Sequence, residues 1–261
     1  KKGMNQGVFG NIDLAGGTES RYMGRAMVNY FRDKTQVSLI AGANNVNDQG
    51  FSGGGGGPRW RRNNGLTATK ELGVSFATET DKLELGGSAR YNYRDNDVIS
   101  RGYSENFLSS GSNSSFSNSN SLSRSKSQNV NVDFRLEWRP DTLTNIIFRP
   151  NLSYGKTESY SDGKSATFND DPYKYFTNPN DSLNIWMKLM RADLTDDDDP
   201  LKKILVNTNN SLSSSNGNSL STNATLQINR KLNSKGRNIT FRGRFSYGDN
   251  AVSYTHLTLP T

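Results

Sequence analysis

Cysteine is absent from the 261 residues, so neither a disulfide framework nor a thiolate metal site is available. Histidine occurs once, at His256. No apolar run is long enough for a transmembrane helix, and hydrophobic residues make up only 32% of the chain. These absences exclude a helical membrane protein but not a transmembrane β-barrel. A barrel strand alternates lipid-facing with lumen-facing residues, so its average hydropathy looks soluble. The formal charge of +7 raises a nucleic-acid or anionic-surface partner. The basic residues are scattered, however, which fits lumen and rim arginines better, and no nucleic-acid partner is expected.

What is abundant is alternation. The stretch 128–139, QNVNVDFRLEWR, puts Val130, Val132, Phe134, Leu136 and Trp138 on one parity. Asn131, Asp133, Arg135, Glu137 and Arg139 take the other. A strand sends successive side chains to opposite faces, so this segment has one apolar and one polar face. The same alternation predicts strands at 8–16, 21–31, 36–44, 66–78, 83–93, 145–154, 220–230 and 238–248. Pro150 makes 145–154 the weakest of these, because proline cannot donate to a ladder. Lys70 falls on the apolar parity, a position tolerable at a bilayer rim and costly at its midplane. One short helix is expected at 182–192, with Leu183, Trp186, Met187 and Met190 on one side.

The connections form a pattern of their own. After the first hairpin, short turns at 33–34, 79–82, 140–144 and 231–237 alternate with long polar intervals at 45–65, 95–127 and 155–217. A soluble secreted sandwich has no reason to keep its long loops at one end, whereas outer-membrane barrels do. The aromatics agree. Tyr22, Tyr91, Tyr93, Tyr154 and Tyr247 are expected at the long-loop ends, and Tyr30, Phe76 and Trp138 at the short-turn ends, as two interface girdles. The expected class is therefore all-β: an antiparallel meander of about nine strands, part of a transmembrane outer-membrane β-barrel with long loops on one side.

Both chain ends look unusual. Lys1-Lys2-Gly3-Met4 carries no signal-peptide pattern. The last residues, 252–261 (VSYTHLTLPT), resemble the translation of a transposon-end sequencing adapter. The expected division is a partial barrel at 1–251 and a non-native tail at 252–261. Setting the tail aside removes His256, so Ser-His catalysis has no imidazole and no enzymatic activity is expected.

The segment 8–52, VFGNIDLAGGTESRYMGRAMVNYFRDKTQVSLIAGANNVNDQGFS, resembles early barrel strands of the outer-membrane β-barrel family allied to TonB-dependent receptors. FRLEWRPDTLTNIIFRPNLSY at 134–154 and LNSKGRNITFRGRFSYGDN at 232–250 resemble the same family. The NNVND segment, with Gly50-Phe51 just after it, is its most specific part. The resemblance implies a plug domain before the barrel, an energising TonB-type inner-membrane complex acting through that plug, outer-membrane lipid around the strands, and binding or import of a bulky solute. The alternative is a structural or surface-interaction barrel without transport.

Candidate sites are few. Lumen-facing Arg25, Arg90, Asp133, Arg135, Glu137, Arg149, Arg242 and Arg244 are expected to form a charge ladder. Such ladders usually satisfy one another, and in a transporter they also face a plug or a polar solute. Arg59, Trp60, Arg61 and Arg62 offer a loop able to grip lipopolysaccharide phosphates or another anion, against the plainer role of anchoring a loop at the interface. The run Gly53 to Gly57 lacks the Gly-Lys-Ser/Thr ending of a phosphate loop. Asp196 to Asp199 lacks the spaced ligands and turn glycine of a calcium loop. No cofactor is expected.

Overall fold

The computed structural model describes residues 6–47, 65–106, 114–175, 200–233 and 236–260. Nine strands follow one another: β1 (Gln6–Gly16), β2 (Tyr22–Arg32), β3 (Thr35–Asn44), β4 (Leu66–Glu79), β5 (Leu83–Asn106), β6 (Ser115–Trp138), β7 (Thr144–Phe168), β8 (Leu205–Lys231) and β9 (Asn238–Pro260). They form one sheet in sequence order, antiparallel where the register is resolved. β1 and β9 are its two edges, so the sheet is not closed.

Local chemistry explains the tight ends. Arg32 pairs with Thr35, and the two residues between them form the hairpin turn, with Asp33 at φ 51°. Aspartate tolerates that left-handed conformation better than most residues. At the turn before β7, the Asp141 carboxylate accepts the Leu143 amide at 2.8 Å and the Thr144 hydroxyl at 3.1 Å. The Leu143 amide leads in holding this carboxyl below the usual carboxylate range.

The nine strands lie where alternation puts them, but five are far longer. β5 to β9 have 24, 24, 25, 27 and 23 residues, against 10 to 14 for β1 to β4. The intervals expected as loops at 95–127 and 155–217 thus contain strand at 95–106, 115–127, 155–168 and 205–217. Their Ser/Asn composition hides no apolar face, so hydrophobic period has nothing to report there. Backbone pairing is supplemented by hydroxyls across the ladder, as where Ser159 meets Ser215 at 2.8 Å. β9 also runs on through residues 252–260. Val252, Tyr254 and His256 keep a strand-like alternation there, and the Tyr254 and His256 rings stack at 6.1 Å. The helix expected at 182–192 lies outside the described residues. A different one-turn helix, α1 (Pro200–Ile204), precedes β8.

The chain divides into two compact units. The first comprises Lys1–Asn96, Lys126–Thr157 and Asn216–Val252, and the second Asp97–Ser125, Glu158–Ser215 and Ser253–Thr261. They differ in what they bury among the described residues: the second has an apolar cluster as well as Asn118 and Asn120. In the second unit, Phe116, Ala166, Phe168, Leu201 and Ile204 form a small apolar core. Pro200 opens α1 at a position where a missing amide costs nothing, and Leu201 and Ile204 then share one face.

Asn118 lies two residues beyond Phe116 on β6, on the same parity. It is 0% exposed, and neither its amide nitrogen nor its oxygen has a partner. A buried unsatisfied amide costs more than an apolar side chain of similar shape. Asn118→Leu is therefore expected to stabilise the protein by about 1–2 kcal/mol, seen as a higher thermal midpoint. A lower midpoint would show that the amide is satisfied.

In the first unit the buried side chains are polar: Asn29, Asn44, Thr67 and Glu137. Many of its large apolar residues are exposed, from Leu14 at 81% to Phe148 at 36%, while Val132, Phe134 and Leu136 are half-buried.

Candidate functional site

Two faces of the first unit carry the residues of interest. On the apolar face, Gly87 of β5 lets two rings meet. A Cβ there would lie 2.9 Å from the Phe76 ring and 3.0 Å from the Asp133 carbonyl oxygen. Across it, Phe76 and Phe134 pack with centroids 6.2 Å apart. The aromatics fall in two rows. Tyr30, Phe76 and Trp138 lie near the short connections 33–34, 80–82 and 139–143. Tyr22, Tyr93, Tyr154 and Tyr247 lie nine or ten residues from the short-connection ends of their strands, which are Arg32, Leu83, Thr144 and Asn238. Tyr91 is one step nearer on β5. Except at Tyr22 these rings do not end their strands, which corrects the expected position: β5, β7 and β9 continue well past them. Lys70 stands in the same row, its amine 5.6 Å from the Tyr93 ring centre, while the Tyr93 hydroxyl donates to Asp95 at 3.2 Å.

On the polar face, side chains link neighbouring strands. Ser38 donates to Asn29 at 2.6 Å, Asn151 to Asp133 at 2.6 Å, Ser153 to Asn131 at 2.9 Å and Arg242 to Gln227 at 3.0 Å. The densest cluster surrounds Glu137, whose side chain is 8% exposed. It accepts from Arg135 at 3.0 Å, from Arg139 at 2.6 and 3.1 Å, and from Asn145 at 3.1 Å. Arg135 also approaches Glu84 at 3.6 Å.

Of the eight charged residues expected in one ladder, direct contact joins Arg135 to Glu137. Arg25 meets Asp13 at 3.6 Å, and Asp133 and Arg242 take amide partners. The guanidiniums of Arg90, Arg149 and Arg244 make no hydrogen bond or ion pair among the described residues. Glu84, Arg139 and Asn145 belong to the cluster and were not singled out, since parity gives a face but not the partner strand's register. The polar face also carries apolar residues, Met23, Met27 and Ile40 among them. Phe9 and Phe31 pair at 6.0 Å over Gly7, whose missing side chain makes room for the Phe31 ring.

Asn44, Asn45 and Asn47 of the NNVND segment form a structural clip. Asn44 donates to the Thr69 hydroxyl at 2.7 Å. Asn45 accepts the Tyr22 amide at 2.8 Å and donates to the Ser20 carbonyl at 2.9 Å. Asn47, at φ 62°, accepts the Thr67 amide at 2.6 Å and donates to the Gly65 carbonyl at 3.0 Å. Three asparagines thus tie the first hairpin and the ends of β3 and β4 together, using side-chain amides as backbone substitutes.

No family model and no curated protein matches the chain. Chemistry has to be read from the geometry alone. Arg59, Trp60, Arg61 and Arg62, the Gly53 to Gly57 run and Asp196 to Asp199 lie outside the described residues. Among the described residues no three His, Cys, Asp or Glu side chains converge as metal ligands.

Proposed function

We propose that this chain is part of an outer-membrane β-barrel of TonB-dependent receptor type, binding or importing a bulky solute. On this reading its apolar sheet face meets outer-membrane lipid and its polar face lines the lumen. The observation that carries the reading is the burial of the first unit, where the buried side chains among the described residues are polar and many large apolar ones are exposed. A water-soluble sheet has the opposite preference, whereas a barrel wall keeps its apolar residues outward.

The aromatic rows add a length. Ten residues of strand span roughly 33 Å, and a tilt near 40° projects that to about 25 Å, the height of a barrel's apolar band. Strands of 23 to 27 residues exceed a crossing, which takes about 9–11 residues, by more than twofold. The Ser/Asn-rich surplus would then stand in water on the long-connection side. An energising TonB-type complex would act through a plug domain, and the barrel itself would carry no catalytic step. The surplus strands favour a second reading, a surface-interaction barrel that contacts neighbours and moves no solute. A plug preceding the barrel in the full-length protein distinguishes the two.

The membrane assignment is tested with Trp138 as the sole tryptophan, after Trp60→Phe and Trp186→Phe. In liposomes, lipids brominated high on their chains should quench its emission more strongly than lipids brominated at chain ends. Folded protein whose Trp138 is quenched by neither would overturn the assignment.

A further inference from the structure

We infer that the polar face holds a binding site for an oxyanion, formed by Arg135 and Arg149 over Gly86. A cavity of about 390 Å³ is lined by Gly86, Ser88, Asp133, Arg135, Arg149 and Asn151, together with Gly87, Phe134 and Pro150 of the opposite parity. Its position follows from the register. Asp133 faces Asn151 and Asn131 faces Ser153, so one step of two residues toward the short connection brings Arg135 opposite Arg149. Directly opposed side chains on neighbouring strands have Cβ atoms roughly 5 Å apart, and like charges so placed repel.

Acidic partners relieve one member of this pair only. Arg135 has Glu137 at 3.0 Å and Glu84 at 3.6 Å, both reached from the short-connection side. The Arg149 guanidinium has no partner among the described residues. Beside them β5 carries Gly86, where an added Cβ would meet nothing nearer than the Phe76 carbonyl oxygen at 3.7 Å. The face is therefore open beside two guanidinium forks that line one cavity, groups suited to bidentate recognition of a carboxylate or phosphate.

The neighbouring row sets what accompanies the oxyanion. Ser88, Asn151 and the Asp133 carboxylate line the cavity beside it. Asp133 would repel a second negative charge and accept a hydroxyl. The site thus fits a solute with one oxyanion next to hydroxyl groups, such as a sugar phosphate or a hydroxy acid. This rests on the polar face alone and stands whether or not the apolar face meets lipid. Failure of lipid quenching at Trp138 would therefore leave it intact.

The test is calorimetric titration of the folded full-length protein in detergent micelles with glucose 6-phosphate, and with glucose as the uncharged control. Glucose 6-phosphate should bind in the millimolar range or tighter, and glucose at least tenfold more weakly. Arg149→Gln and Gly86→Leu should each weaken glucose 6-phosphate binding at least tenfold. Arg94→Gln, which removes an exposed arginine of β5 outside the cavity, should leave it unchanged. Equal binding of glucose, no binding by folded wild-type protein, or equal loss in Arg149→Gln and Arg94→Gln would overturn the site.

Discussion

Arginine at Phe134 is expected to block membrane assembly, while arginine at Asn131 is tolerated. The two positions lie on one strand, three residues apart and on opposite faces. On the membrane reading Phe134 sits near the middle of the apolar band, between the row of Trp138 and the row of Tyr93 and Tyr154. A charged side chain at the midplane of a barrel's lipid face costs roughly 2–4 kcal/mol. Asn131 instead accepts a hydrogen bond from Ser153 at 2.9 Å on the polar face, where another guanidinium remains solvated. Loss of the ring pair with Phe76 has to be separated from the charge. Phe134→Ala removes the pair and should still assemble, with a lower thermal midpoint. The measurement is the fraction of protease-protected protein in liposomes. If the arginine variants at 131 and 134 assemble equally well, the face assignment is wrong.

The second large effect is expected at Glu137. Its carboxylate gathers two guanidiniums and the Asn145 amide at the short-connection end of β6. Glu137→Ala leaves Arg135 and Arg139 without this counter-charge and removes the Asn145 donor's acceptor. Breaking a buried ion pair costs about 3–5 kcal/mol. Here both guanidiniums remain about half exposed, with side-chain exposures of 46% and 56%, so solvent screens much of the imbalance. The expected loss is roughly 2 kcal/mol, and Glu137→Gln, which keeps shape and one acceptor, should lose about half of that. Urea unfolding in micelles reads both. A Gln variant as destabilised as the Ala variant would mean that charge dominates, and two unaffected variants would mean that the cluster contributes nothing to stability.

Legibility followed the apolar residues. Each strand with a period-2 apolar set was visible, including 145–154 despite Pro150, because a one-residue slip would turn a whole apolar face over. The parts of β5 to β9 nearest the long connections (94–106, 115–127, 155–168, 205–219 and 249–260) were not visible. Serine and asparagine there satisfy either a loop or a ladder, and only the neighbouring strand decides between them. The candidate site shows the same limit. Parity placed Arg135, Arg149, Asp133 and Glu137 on one face, yet whether Arg149 faces a carboxylate or another arginine depends on register across β6 and β7.

The amino-acid sequence by itself therefore determined nine strands, their order, their two chemically opposite faces and the short turns at one end. These follow from local rules, side-chain alternation and turn chemistry, which act within a few residues. Tertiary structure alone decided how far the strands run, which side chains are buried, and that Asn44, Asn45 and Asn47 clip three strand ends together. It also decided that Gly86, Arg135 and Arg149 line one cavity. Those outcomes depend on pairing between segments far apart in the chain, and no local period encodes which partner a strand will meet.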